Sequence, residues 1–273
     1  MRNYTGQAVL ITGGTHGIGL ATGLAFGQAG ANVYLTHRWG SANEAQIIQQ
    51  FVDLNCPQPT IVEADVSSDE DTDNLLNLIQ STHGHIEVFI SNVSFALVCP
   101  RFEELEFKGL KQSLRYSSWP IISYLRAIRK QFGRYPRYTI GMSSRGPDYF
   151  LPGYEYVAIS KTAMEAWCRH LSNHFVDEDV FINIIRANPV ETQSLEATFG
   201  PDFAPFCKQY YGDEFFMTPQ EVADAALGMC SGLMDSLRGQ VLLLDRGISM
   251  DDNVVRLFRR RAELGLEFST KQR

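Results

Sequence analysis

The chain has 273 residues, 44% hydrophobic and 20% charged, and carries a formal charge of −7; this mix excludes a disordered or fibrous protein and argues against nucleic-acid binding through the overall field. Five cysteines, odd in number and without C-x-x-C spacing, predict neither a disulfide framework nor a metal site. No stretch is apolar enough to span a bilayer and the N-terminus lacks the layout of a secretory signal, so a cytoplasmic protein without membrane partners is expected.

In chain order, short β-branched runs alternate with longer amphipathic stretches. Ala8 to Thr12 reads as a strand, Ile18 to Ala29 as a helix, Asn32 to Thr36 as a strand and Ala42 to Leu54 as a helix. Strands follow at Thr60 to Glu63 and Val88 to Ser91, with a helix from Glu70 to Thr82 between them. Further strands are predicted at Tyr138 to Met142, Phe181 to Ile185 and Gln240 to Leu244. This alternation predicts an α/β fold, a Rossmann-type doubly wound parallel sheet in a single domain over residues 1–250. Two segments stand outside the alternation: 195–217, rich in Phe, Tyr, Pro and Gly, which reads as a mobile substrate lid, and a C-terminal tail over 251–273. The lid runs into Thr218-Pro219-Gln220-Glu221, where a Thr N-cap, a first-turn Pro and Glu at N3 open another helix.

Between the first strand and the first helix stands Thr12-Gly13-Gly14-Thr15-His16-Gly17-Ile18-Gly19. Glycines at 13, 17 and 19 let the backbone approach a pyrophosphate, and the start of the helix supplies N–H donors and a favourable dipole. After the second strand the sequence reads Leu35-Thr36-His37-Arg38. It has no carboxylate for a ribose 2′-hydroxyl, whereas Arg38 can fork onto a 2′-phosphate with His16 as a second donor, so NADPH is favoured over NADH.

The turn resembles the T-G-x-x-x-G-I-G form of the short-chain dehydrogenase/reductase superfamily, and later motifs fall in register over residues 7–250. Ala64-Asp65-Val66 looks like the adenine-contacting Asp-Val, and Leu244-Asp245-Arg246-Gly247 resembles the late D-G-G. The resemblance implies cofactor contacts from Gly13, Thr15, His16, Gly17, Ile18, Gly19, Arg38, Asp65, Val66, Asn92, Lys161 and Thr192. Most members carry Tyr-x-x-x-Lys; four residues before Lys161 stands Val157. Tyr154 and Tyr156 are the alternatives. At about 100° per residue, a seven-residue spacing returns to the face of Lys161 and a five-residue spacing does not, which favours Tyr154.

Tyr-x6-Lys is similar to the FabL-type enoyl-acyl-carrier-protein reductases, as is Ser143-Ser144-Arg145-Gly146 upstream. Tyr116-Ser117-Ser118-Trp119 resembles the enoyl reductases where carbonyl-reducing relatives carry an asparagine. The resemblance implies hydride transfer to a 2-enoyl thioester held on acyl carrier protein or CoA, with Tyr154, Lys161 and Ser144 catalytic, in fatty-acid or polyketide-type metabolism. It also implies a homotetramer or homodimer. The chain departs from the family at Ser91-Asn92-Val93-Ser94, in place of N-N-A-G, and at Arg186-Ala187-Asn188-Pro189-Val190-Glu191-Thr192. A 3-oxoacyl or ketone reductase is the close alternative, and a catalytically silent NADPH-binding scaffold is an alternative of another class. Basic docks for an acidic carrier are offered by Arg256, Arg259, Arg260 and Arg261 and by Arg126, Arg129, Lys130, Arg134 and Arg137, although solvated helix faces would look the same.

Overall fold

A computed structural model describes residues 3–40 and 42–266. Seven parallel strands form one sheet in the order β3-β2-β1-β4-β5-β6-β7. They are β1 (Ala8–Ile11), β2 (Asn32–His37), β3 (Thr60–Glu63), β4 (Ile86–Ser91), β5 (Tyr138–Ser143), β6 (Phe181–Ala187) and β7 (Val241–Leu244). Parallel neighbours need crossovers. These are α1 (Gly17–Gln28), α2 (Glu44–Asp53), α3 (Asp69–Gln80), α4 (Phe107–Ser117), α5 (Pro120–Phe132), α6 (Glu155–His174) and α9 (Pro219–Met229).

Side chains of a strand alternate between the two faces of its sheet, and both faces here are covered. Val9, Ile11, Val33 and Leu35 share one core with Phe26 of α1, Phe51 of α2 and Val222 and Met229 of α9. Leu10 and Phe89 point the other way, into a core with Leu75 of α3 and Tyr124 and Ile128 of α5. A third cluster joins Ile182 and Ile184 of β6 to Leu125, Met164 and Cys168 on α5 and α6. Burial on both faces explains why β1 is apolar throughout rather than alternating.

The strand order reverses between β1 and β4, since β3 lies on the far side of β2. In open α/β sheets the crevice beyond the strand carboxyl ends at such a reversal is where ligands bind. It falls where Gly13, Asn92, Ser144 and Thr192 leave β1, β4, β5 and β6.

The segment 195–217 is not irregular chain. It holds most of α7 (Gln193–Phe199), all of α8 (Phe203–Tyr211) and a short 3-10 turn at Asp213–Phe215. The Thr218 cap of α9 closes as a full capping box with Glu221. The expected tail is also helical in part, with α10 over Asn253–Arg260. Its Arg260 Nη1 donates to the Tyr210 carbonyl at 2.7 Å, which ties it to α8. The rest of the expected tail, 267–273, lies outside the described residues. Among those residues no helix is long and apolar enough to cross a membrane.

Candidate active site

The glycine turn is held by backbone and by one asparagine. Gly13 and Gly17 adopt φ of 63° and 51°, the left-handed region that glycine enters without steric cost. Asn92 Nδ2 donates to the carbonyls of Thr12 at 3.2 Å and Gly13 at 2.9 Å. A Cβ on Gly19 would stand 2.3 Å from the Gly13 carbonyl oxygen, so α1 approaches the turn as closely as its backbone allows. A Cβ on Gly17 would touch Thr192 Cγ2 at 3.4 Å, which sets Thr192 beside the turn. Of the other predicted contacts, Thr15 is buried, Ile18 packs against the core, and His16 is exposed at the N-cap position of α1. The tight turn, its glycines and the open start of α1 fit a dinucleotide pyrophosphate.

Arg38 and Asp65, expected as separate cofactor contacts, form an ion pair at 2.9 Å. Arg38 Nη1 also donates to the Tyr116 hydroxyl at 2.7 Å, and its guanidinium lies 4.0 Å from the Trp39 ring centre. Asp65 Oδ1 accepts from the Ser67 amide at 2.9 Å and its hydroxyl at 2.8 Å. Val66 turns inward to the α3 and α5 core. Tyr116 of the Tyr-Ser-Ser-Trp segment therefore serves this end of the crevice. Its neighbour Ser117 accepts a hydrogen bond from the Phe95 amide at 2.8 Å.

The two candidate tyrosines are parted by the start of α6. Tyr154 is the N-cap residue. Burial pushes its phenol pKa up, and the Ser144 side chain partly offsets this. Phe199 of α7 stacks over Tyr154 with ring centres 6.3 Å apart, and Phe203 of α8 continues the stack at 4.6 Å. Tyr156 points to α4 instead. Its hydroxyl donates to the Glu106 carbonyl at 2.9 Å and accepts from the Glu106 amide, and its ring fills the space a Cβ on Gly109 would need.

Lys161 is buried, 4% exposed, with Nζ donating to the Met142 carbonyl at 2.7 Å. An ammonium carries three donors; the other two have no protein partner among the described residues. Burial brings its pKa down to about 8, against the opposing pull of Glu165. A buried ammonium with unmet donors at the edge of the crevice suits the hydroxyls of a cofactor ribose.

Sequence reasoning missed what surrounds that lysine. Glu165, one turn along α6 and 4% exposed, accepts from the Ser143 hydroxyl at 2.6 Å and from Arg186 Nε at 3.0 Å and Nη2 at 2.5 Å. Arg186 also pairs with Asp148 in the loop carrying Ser144. The available signal was a charged residue within the apolar run of β6. Also missed was a cavity of about 430 Å3 beside α7 and α8, lined by Thr192, Leu195, Glu196, Pro201, Ala204 and Pro205.

Both basic clusters are partly neutralised within the chain. Arg137 pairs with Asp179 and Asp235, Arg134 lies 3.8 Å from Glu87, Arg256 pairs with Asp251 and Arg260 with Glu263. In the late D-R-G segment Asp245 caps the Gly247 and Ser249 amides, while Arg246 takes a φ of 52°. Its guanidinium binds both Glu221 oxygens and the Glu214 carbonyl, fastening the 3-10 turn at Asp213–Phe215 to α9.

The sequence profile of the Enoyl-(Acyl carrier protein) reductase family matches residues 13–249. The chain belongs to this family. It is an oxidoreductase of the short-chain dehydrogenase/reductase superfamily, a nicotinamide-cofactor family. The enoyl-[acyl-carrier-protein] reductase [NADH] FabI of Aquifex aeolicus is 24% identical over 260 residues, covering 89% of this chain and 91% of that protein. Its crystal structure superposes with a TM-score of 0.79 at 22% identity, covering 92% and 99% of the two chains. The 1-cyclohexenylcarbonyl-CoA reductase of Streptomyces collinus is 24% identical, over 89% of this chain and 87% of its own. A variant of the actinorhodin polyketide ketoreductase with NADPH shares the fold at a TM-score of 0.78 and 16% identity, covering 89% and 97%. This reductase thus has the family's fold along nearly its whole described length.

Proposed function

We propose that the protein is an NADPH-dependent reductase of 2-enoyl thioesters, carried on acyl carrier protein or CoA, in fatty-acid or polyketide-type metabolism. The observation that carries this reading is the division of labour at α6: the Tyr156 hydroxyl is consumed by the Glu106 backbone, while Tyr154 lies under Phe199 with Ser144 acting on its phenol. That leaves Tyr154, at Tyr-x6-Lys spacing, as the phenol available to substrate.

The bound dihydronicotinamide supplies the hydride. The chain's own residues do the rest. Negative charge develops on the thioester oxygen as the β-carbon is reduced, and a hydroxyl aimed at that oxygen stabilises it. Tyr154 donates that hydrogen bond with Ser144 beside it. The enolate is completed by a proton on its α-carbon as the thioester carbonyl re-forms, the proton coming from Tyr154, which solvent then reprotonates. Lys161 holds the ribose hydroxyls and, while protonated, favours the ionised phenol. Gly13, Gly17 and Gly19 with the start of α1 would take the pyrophosphate, Asn92 braces that turn, and Thr192 would hold the carboxamide. Arg38 would exchange Asp65 for a 2′-phosphate, the feature that would select NADPH. Phe199 and Phe203 close over Tyr154 and exclude water. The exposed edge-to-face pair of Trp119 and Trp167 on α5 and α6 supports a second copy there, as in a homodimer or homotetramer.

The Ser144–Tyr154 pair also suits a carbonyl, so 3-oxoacyl reduction is the second reading. The deciding experiment follows NADPH oxidation with a 2-enoyl thioester and with its 3-oxoacyl counterpart. Turnover of the enoyl substrate is expected. Turnover of only the 3-oxoacyl substrate overturns the assignment, and binding of NADPH without any turnover makes the protein a scaffold.

A further inference from the structure

Lys161 and Glu165 lie four residues apart on α6, a spacing at which opposite charges on a helix ordinarily meet. Here they do not. Both are buried, so their attraction is screened far less than at a surface, yet the ammonium goes to the Met142 carbonyl and the carboxylate to Arg186 and Ser143. What holds them apart is a planar fork from β6, which satisfies both oxygens of the carboxylate in a fixed orientation.

We propose that Arg186 is a positioning residue for Lys161, acting through Glu165: its fork on the carboxylate, with the Ser143 hydroxyl, keeps Glu165 off the ammonium and leaves two lysine donors uncommitted. The inference deepens the reading of Lys161 as the ribose-binding group and rests on it. Asp148 gives the device a second function, because its pairing with Arg186 fastens the Ser144 loop to the same fork. One guanidinium therefore sets the lysine and steadies the loop that bears Ser144.

The groups facing this centre come from each packed element. β5 contributes Ser143, β6 contributes Arg186, the β5–α6 loop contributes Asp148, and α6 contributes Lys161, Glu165 and the Cys168 thiol, which burial holds neutral with a pKa near 12. Without Arg186 the only buried Lys or Arg left among the described residues to pair with Glu165 is Lys161. The lysine would then be drawn from the cleft and hold its proton to higher pH.

The test is an NADPH fluorescence titration across pH, which needs no acyl substrate. Arg186→Met should weaken NADPH binding about tenfold, in the range for coupled neighbours, and move the basic limb of the binding profile up by about one unit. Arg186→Met with Glu165→Gln should recover to within about threefold of the unmodified protein, because no buried carboxylate remains to capture the lysine. Unchanged binding in the single variant, or a double variant weaker than the single, overturns the proposal. If Arg186→Met does not fold, Glu165→Gln alone decides: its basic limb should move down, and a limb that stays put overturns the idea. Failure of the proposed reaction is separable, since an unmodified protein that binds NADPH but reduces no thioester loses the function and keeps the positioning.

Discussion

The glycine turn and the tyrosine–lysine helix face the same crevice and are built by different means. At the turn, position is enforced by backbone: positive φ at Gly13 and Gly17 and no room for a Cβ on Gly19. At α6, position is enforced mostly by side-chain contacts, with Phe199 on Tyr154, Arg186 on Glu165 and Lys161 reaching the Met142 carbonyl. A backbone site tolerates no substitution but depends on few partners. A side-chain site admits substitution and can be retuned one partner at a time.

Tyr154→Phe should sharpen that contrast most. Removing the donor to the developing oxyanion is expected to lower kcat by a factor of about 100 to 1,000, with NADPH binding kept, as measured by steady-state kinetics beside a cofactor titration. Gly19→Ala should do the reverse: its Cβ has nowhere to go, so it is expected to cost roughly 1 to 3 kcal/mol of stability and most NADPH binding. Denaturant unfolding checks the first part. If Gly19→Ala binds normally, the turn is less rigid than its geometry requires.

The pH dependence of stability is next. Burial lowers the Lys161 pKa from 10.5 to about 8, so between those values the unfolded chain holds a proton that the folded chain has released. The Lys161 contribution to unfolding free energy therefore rises with pH from about 8 to 10.5 and is flat below. Denaturation across that window should show the slope, and Lys161→Met should remove it. Arg38→Ala should weaken NADPH binding about tenfold, the loss of one charge-assisted pair, and leave NADH nearly unaffected. Equal losses for both cofactors would sink the assignment of Arg38 to a 2′-phosphate. The smallest effect is expected at Tyr156→Phe, which gives up the Glu106 contacts for about 1 kcal/mol of stability with kcat unchanged.

The same difference decides what a sequence discloses. Strand and helix periodicity placed all seven strands to within about two residues, because burial on both sheet faces leaves apolar runs between polar connections. The glycine turn was legible because glycines at fixed spacing carry their own geometry. Tyr154 was favoured by helical periodicity, yet it is the N-cap of α6 and only its successors are helical, so the angular argument does not strictly apply to it. The pairing of Arg38 with Asp65, and of Arg186 with Glu165, could not be read, since each joins residues more than twenty apart through the sheet order. Helices α7 and α8 were hidden by Pro and Gly within short segments whose aromatic residues stack on Tyr154 and on one another.

The bracing of the turn by Asn92 bears on how the site comes into being. Thr12 donates to Ile90, and Asn92 holds the Thr12 and Gly13 carbonyls, so the phosphate loop is finished only when β4 slots in beside β1. The first three strands and their helices contain every glycine of the motif but not the clasp that shapes it. During synthesis the turn is thus given its final shape once Asn92 has emerged and β4 has joined β1, with about two thirds of the chain still to be made.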